Sequence, residues 1–180
     1  MTDSCGVGQV QVFWHLTDPK SWLLHNVFLG KGWTDTASAQ AQHFGLGFVT
    51  QYQVFNSEPD KEKVWERVRL EETPQSPSRM GSTYLFASEA DADARKELWF
   101  ATQKKIKLEV LAFPLSLTTL HRADAKWLNR PQAEWETAAR QYWRGEMSAE
   151  PMVEVLAHGR LFFPGWERPP FGAMVPNPVG

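Results

Sequence analysis

The sequence predicts an α+β fold in a single domain, with flanking helices on a mostly antiparallel mixed sheet. Its 180 residues suffice for one domain with a substantial core. Strand patterns and helical patterns are interspersed without the regular alternation of a doubly wound protein. The chain also lacks the glycine-rich strand-to-helix turn typical of parallel dinucleotide-binding sheets. These observations together favour α+β over α/β.

The composition is that of an ordinary globular protein. Apolar residues make up 42% of the chain and charged residues 22%, and the formal net charge is −2, so no basic surplus indicates nucleic-acid binding. Cys5 is the one cysteine, which excludes an intramolecular disulfide and any multi-cysteine zinc site. The amino terminus does not resemble a secretion signal, and no stretch approaches 18 apolar residues. We therefore expect a cytoplasmic protein without a membrane partner.

The first half of the chain contains one strand pattern and two helical patterns. Residues 9–16, "QVQVFWHL", begin with polar and apolar alternation and predict the first core strand. A short helix is predicted after Thr34 or Thr36 as its cap, ending at Gly45. Residues 60–72 predict a helix with salt-bridging charges, which the prolines of the following loop terminate.

The middle of the chain, "SRMGSTYLFASEADADARKEL", combines a loop, a strand and a helix. Residues 84–87 predict a short strand. Ser88 with Asp91 three positions later fits an acidic capping box, which predicts the start of a helix. Residues 105–113, "KIKLEVLAF", then alternate cleanly between apolar and charged residues and predict a strand.

The last third predicts a helix followed by strands and a tail. Residues 130–145 predict a helix with Pro131 in its first turn and Gly145 at its end. Residues 151–163 read as two short strand-like runs joined through His158 and Gly159, either a hairpin or a bulged strand. The stretch 165–180 is rich in proline and glycine, which predicts an extended tail after a domain spanning 1–164.

Standard catalytic and metal signatures are absent from the sequence. It contains no Walker loop, no HExxH and no nucleophile elbow. The five histidines never fall at zinc-ligand spacing, so no metal site is expected. Three polar residues instead interrupt apolar strand patterns: His15 in "VFWH", Tyr84 in "YLFA" and Glu154 in "MVEVLA". Each could be structural, but a carboxylate between two valines is costly to bury unless it is paired or lines a cleft.

Taken together, the segments "VFWHLT", "GSTYLFASEADADARKEL" and "MVEVLAHGRLFF" resemble the ADP-ribosyltransferase superfamily in its His-Tyr-Glu variant. The family's G-x-x-Y-x-A stretch before an alanine-rich helix is matched by Gly81, Tyr84 and "FASEADA". "WHLT", "PSR" and "EVL" are also similar to segments of a group of uncharacterised bacterial proteins. The resemblance implies a split sheet and a site for NAD, which serves as a substrate.

The resemblance also implies a role for each residue. His15 would bond a ribose hydroxyl of the adenosine half of NAD, and the ring of Tyr84 would stack on the nicotinamide. Glu154 would stabilise the positive charge that develops as the glycosidic bond breaks. The predicted catalytic residues are thus Glu154, Tyr84 and His15. The predicted cofactor-binding residues are His15, Thr17, Arg79, Ser82 and Tyr84, with Arg67 as the alternative to Arg79 for the pyrophosphate.

The implied function is mono-ADP-ribosyl transfer from NAD to an unidentified macromolecule, or NAD hydrolysis, in a bacterial or phage protein such as a toxin. Arginine-modifying members carry a second carboxylate where this chain has Met152, so the acceptor would be another protein side chain, a nucleic acid or water. One alternative on the same scaffold is RNA 2′-phosphotransfer, against which the lack of a basic surplus argues. Another is a non-catalytic binding protein whose aromatic groove would include Trp14, Trp33, Trp65, Trp99 and Trp166.

Overall fold

The computed structural model describes residues 10–45, 58–114 and 117–166, and they form an α+β domain. The strands are β1 (Gln11–Thr17), β2 (Trp33–Asp35), β3 (Thr83–Leu85), β4 (Ile106–Ala112), β5 (Thr118–Asp124) and β6 (Val153–Phe162). The helices are α1 (Trp22–Leu29), α2 (Ala37–Phe44), α3 (Pro59–Glu72), α4 (Glu89–Phe100) and α5 (Trp135–Trp143). Short 3-10 helices span Ala125–Asn129 and Gln132–Glu134. No helix in the described ranges is long and apolar enough to cross a membrane.

The ten-residue strand β6 organises an open, six-stranded sheet. Residues 153–159 of β6 pair with β3 and β5, and residues 160–162 pair with β2 and β4. β1 pairs with β4, and Trp14 also exchanges backbone hydrogen bonds of 2.8 and 3.0 Å with Phe86, just after β3. All pairings between these six strands are antiparallel.

The sheet separates two apolar cores, because successive strand side chains point to opposite faces. We call the side that carries Phe13, Leu85 and Val155 the α1 face, because Leu24 and Val27 of α1 pack against it. The opposite side carries Tyr84, Glu154 and Leu156 and is covered by α3 and α5. We call it the α3–α5 face. Its core residues are Trp65, Val68, Ala123, Trp127, Ala138, Ala139, Tyr142, Trp143 and Leu156.

Most elements predicted from the sequence are confirmed within one or two residues. These are β1, α2, α3, β3, α4 and β4. Helix α5 is also present, but it begins at Trp135, five residues after the predicted start at 130, and follows a short 3-10 helix. The side chain of Thr36 accepts a hydrogen bond from the backbone of Ala39, and Gly45 takes the left-handed conformation that ends α2. Ser88 accepts a bond of 3.1 Å from the backbone N–H of Asp91, as a capping residue does.

Of the two alternatives at His158 and Gly159, a hairpin or a bulged strand, the hairpin is wrong, since both residues lie within the single strand β6. Gly159 has a φ of +117°, and a Cβ there would lie 2.1 Å from the carbonyl oxygen of Leu117. The glycine therefore permits the close approach of a neighbouring segment rather than a chain reversal. Helix α1 and strands β2 and β5 were not predicted. The predicted tail lies largely beyond the described residues.

Candidate functional site

Glu154 lies on β6 with its carboxylate on the α3–α5 face. Its side chain is buried, and its Oε1 accepts hydrogen bonds from the Arg79 guanidinium and, at 2.5 Å, from the Tyr142 hydroxyl. Strand alternation alone would also allow Glu154 to face solvent on an edge strand, but its side chain is only 5% exposed. The carboxylate is instead buried and paired, as a charge in a protein interior must be.

Arg79 is the centre of this cluster and comes from the loop between α3 and β3. Its Nη1 also donates to the Tyr142 hydroxyl at 2.7 Å, and its Nε lies 3.2 and 3.3 Å from the two carboxylate oxygens of Glu62 on α3. The guanidinium carbon lies 5.1 Å from the ring centre of Tyr142 and 5.5 Å from that of Tyr84. We call Glu62, Arg79, Tyr142 and Glu154 the Arg79 network.

The loop that carries Arg79 is held by two serines. The Ser78 hydroxyl donates to Glu66 at 2.9 Å, and the Ser82 hydroxyl donates to the Ser78 carbonyl at 2.6 Å. Ser82, predicted to bind the cofactor, thus closes a turn of this loop. The proline- and serine-rich sequence favours such turns over a helix, and they direct Arg79 under the α3–α5 core.

Tyr84 borders the Arg79 network from the neighbouring strand. It pairs with Leu156 across β3 and β6, so its ring lies on the same face as the Glu154 side chain. Its hydroxyl donates to the backbone carbonyl of Arg79 at 2.8 Å. The structure therefore brings together three of the predicted residues: Tyr84, Arg79 and Glu154.

The protonation states in the network follow from its surroundings. Burial acts to lower the pKa of Arg79, but the adjacent tyrosines and carboxylates outweigh burial and raise that pKa well above its ordinary value. Burial also raises the pKa of Tyr142 well above its ordinary value. Arg79 is thus a permanent cation, and Tyr142 is a neutral hydroxyl that donates to Glu154.

His15 is on the other side of the sheet. It shares the α1 face with Phe13 by strand alternation, and its ring meets that of Phe163 edge-on at 6.5 Å. Its Nδ1 lies 2.8 Å from the Tyr84 carbonyl, which can only accept, so Nδ1 carries the proton. Burial lowers the pKa of His15, which keeps the imidazole neutral. His15 therefore touches the backbone of Tyr84 but does not share a cleft with Glu154.

Two other predicted residues have partners outside the network. Thr17 is on the same face of β1 as His15, and its hydroxyl donates to Ser21 at 2.8 Å. Arg67, the alternative pyrophosphate ligand, forms ion pairs of 2.9 Å with Glu71 and Glu136. Both residues therefore support local structure.

Two members of the network, Glu62 and Tyr142, were not among the residues predicted to form the site. By sequence, Glu62 is one of several charged residues of a helix rich in salt-bridging charges, and Tyr142 lies in a helix at apolar spacing with Trp135, Ala138 and Ala139. A partial signal exists for Glu62, because it lies three residues before the fully buried Trp65 and is therefore on the same side of the helix. The tryptophans of the predicted aromatic groove are divided between the two cores, because Trp65 lies in the α3–α5 core and Trp166 packs against the opposite core.

A cavity of about 650 Å³ lies beside the network, along α3. Glu62 lines it, together with Met80, the residue that follows Arg79. The remaining lining residues are Pro59, Lys63, Glu66, Arg67, Leu70 and Glu71. Within the described ranges, no group of three or more histidine, cysteine, aspartate or glutamate side chains could hold a metal ion.

Comparisons with known proteins identify a family but no function. No curated protein matches the chain. A family model described as a protein of unknown function (DUF2441) matches residues 33–163, which include the whole of the Arg79 network and β6. Since the match covers well over half of the chain, the protein belongs to the DUF2441 family.

Proposed function

We propose that the protein is a member of the ADP-ribosyltransferase superfamily that cleaves NAD and transfers ADP-ribose to a macromolecule or to water. The observation that carries the proposal is the placement of Glu154, a carboxylate on a central strand, beside Tyr84 on the same face of the adjacent strand. The sequence resemblance assigns these two residues to the reacting end of NAD.

In this proposal Glu154 acts through its negative charge. As the bond between the ribose C1′ and the nicotinamide nitrogen breaks, its electron pair goes to the nicotinamide, and the ribose becomes an oxocarbenium ion. A fixed carboxylate stabilises that positive charge. The acceptor oxygen or nitrogen then bonds to C1′ and loses its proton. Arg79 and Tyr142 would hold the carboxylate in one orientation through this step.

The other residues take different parts in the proposal. The α3 cavity would admit substrate, because Glu62 lines it and contacts the guanidinium that binds Glu154. Tyr84 would supply the flat surface for the nicotinamide ring. His15 would act as a positioning residue, since its hydrogen bond to the Tyr84 carbonyl fixes β3 against β1.

The test uses NAD labelled in the adenylate portion and follows nicotinamide release and label transfer. Glu154→Gln retains the shape of the side chain and an acceptor oxygen for Arg79, but it removes the charge. We expect nicotinamide release to fall by at least about a hundredfold, the scale of losing one transition-state contact. The comparison variant is Glu62→Gln, which neutralises the other buried carboxylate on the same guanidinium. Because Glu62 also lines the α3 cavity, we expect it to lose some nicotinamide release, but less than Glu154→Gln.

The two variants separate catalysis from structure. Equal losses of activity in Glu154→Gln and Glu62→Gln, with equal losses of stability, would show that the network only supports the fold. Undiminished release in Glu154→Gln would exclude Glu154 from the chemistry. Label found on protein, on nucleic acid or only on free ADP-ribose identifies the acceptor class.

A second candidate function is binding without catalysis. It is favoured by the hydrogen bonds of Glu154, because its Oε1 already accepts from two buried donors. The α3 cavity, which the apolar Pro59, Leu70 and Met80 also line, would then be the binding surface. Wild-type protein that releases no nicotinamide from NAD would favour this alternative.

A further inference from the structure

A second cavity lies along strand β5, and the charge of its lining is opposite to that of the α3 cavity. It has a volume of about 720 Å³, within the range of small-molecule sites. Its lining contains one arginine and no aspartate or glutamate. The α3 cavity, by contrast, is lined by three glutamates against one lysine and one arginine. We call the second site the β5 cavity; its lining residues are Gln11, Pro114, Leu117, Thr118, Thr119, Leu120, His121, Arg122, His158 and Gly159.

Arg122 supplies the positive charge of the β5 cavity. Its side chain is exposed, and its guanidinium carbon lies 5.4 Å from the ring centre of the fully buried Phe13. No carboxylate lies within ion-pair distance of Arg122 among the residues that the structure describes. Stacking on the Phe13 ring restricts the guanidinium while its N–H donors remain available at the cavity rim.

The two histidines of the cavity add no charge at neutral pH. Burial lowers the pKa of both His121 and His158. The Nδ1 of His158 is within 2.7 Å of the Ser38 hydroxyl, and the Nε2 of His121 donates to the Tyr142 carbonyl at 3.2 Å. The electrostatic character of the cavity therefore comes from Arg122.

The strand itself provides further donors. In the described part of the chain, β6 is the one strand that pairs with β5, and the other edge of β5 forms an isolated bridge from Thr118 to Pro114. The N–H of Thr118 on this edge donates to the Phe113 carbonyl at 3.1 Å, whereas the alternate N–H groups beyond it, from Leu120 onward, are not used in strand pairing within the described residues. Such unpaired N–H groups bind anions readily. Gln11 lines the same cavity, and Pro114, Leu117 and Leu120 give the cavity an apolar wall.

We propose that the β5 cavity binds a small anionic molecule in which a phosphate or carboxylate group is attached to an apolar or aromatic moiety. Arg122 would bind the anionic group through paired N–H donors, and the apolar wall would contact the remainder of the ligand. This proposal does not rest on the proposed function, because Arg122 and Glu154 lie on opposite faces of the sheet: Ala123, not Arg122, pairs with Glu154.

The test titrates the full-length protein with AMP, benzoate and inorganic phosphate and follows binding by calorimetry and backbone NMR shifts. AMP and benzoate distinguish a phosphate from a carboxylate ligand, and inorganic phosphate lacks the apolar moiety. Arg122→Gln is compared with Arg95→Gln. Arg95 is a matched control because its guanidinium also stacks on an aromatic ring, that of Trp99, at 5.4 Å, yet it does not line the cavity.

We expect AMP or benzoate to bind the wild type more tightly than inorganic phosphate and to shift amide signals of β5. Arg122→Gln should weaken that binding about tenfold or more, the scale of one charged hydrogen-bond pair, while Arg95→Gln leaves it unchanged. Three results would each overturn the proposal: absence of AMP and benzoate binding at millimolar concentration, equal weakening in both variants, or wild-type shifts confined to residues outside the β5 cavity.

Discussion

The two faces of the sheet are stabilised in different ways, although they meet at neighbouring residues of one strand. Val155 is fully buried on the α1 face among apolar side chains, whereas Glu154 is buried on the α3–α5 face beside a guanidinium and a hydroxyl. The α1 face requires only side chains of suitable volume. The α3–α5 face requires a specific set of partners, because a charge in an interior is tolerated only when it is paired.

The difference shows where chemistry is concentrated in this fold. Buried ion pairs contribute little net stability, yet removing one partner is costly. The Arg79 network joins four separate elements: α3, the loop before β3, α5 and β6. Apolar packing alone would not require four polar side chains with matched partners. We therefore assign the candidate site to the α3–α5 face.

The largest effect is expected for Arg79→Met. This change leaves Glu62 and Glu154 buried without their shared cation, which should reduce the free energy of unfolding by about 3–5 kcal/mol. Denaturant titration measures it. Arg140→Met is the control, because Arg140 also joins α3 to α5, through Glu72, but in a partly exposed position. If Arg79→Met lowers the free energy of unfolding no more than Arg140→Met does, the α3–α5 face does not depend on its buried charge partners.

The sequence predicted the fold class and most elements because their signals are local. Caps at Thr36 and Ser88 and the alternation of 105–113 depend only on neighbouring residues. Strand β5 was missed because "TTLHRAD" lacks regular alternation and is positioned by its pairing with β6. A hairpin and a bulged strand both remained open at Gly159, because the role of this glycine depends on Leu117, which is distant in sequence.

The candidate site was predicted only in part, for a similar reason. Tyr84 and Glu154 are conspicuous as polar residues in apolar strands, and they do lie together. His15 has the same local signature, but the sequence does not specify which face of the assembled sheet it occupies. Glu62 is a typical surface residue by sequence, and only the packing of α3 over the loop buries it.

A smaller effect is expected for Tyr84→Phe, which removes the hydroxyl that donates to the Arg79 carbonyl and retains the ring. The unfolding free energy should fall by about 1 kcal/mol, and nicotinamide release should stay within a few-fold of wild type if the ring alone contacts substrate. Tyr142→Phe is the comparison, because its hydroxyl bridges Arg79 and Glu154 in the interior. Equal losses of stability in the two variants would show that the bridge gives Tyr142 no special role.

The smallest effect concerns pH and arises from His15 on the α1 face. Burial lowers its pKa below the ordinary value of 6.5. Between the folded and unfolded pKa values the unfolded chain binds more protons, so the free energy of unfolding decreases as pH falls below about 6.5. Denaturant midpoints at about pH 7.5 and 5.5 measure the decrease, in a window above the titration of ordinary carboxylates. His15→Gln keeps an N–H donor for the Tyr84 carbonyl and does not titrate, so it should show a smaller decrease than wild type. An unchanged decrease would assign the pH dependence to the histidines of the β5 cavity, His121 and His158, whose pKa values burial also lowers.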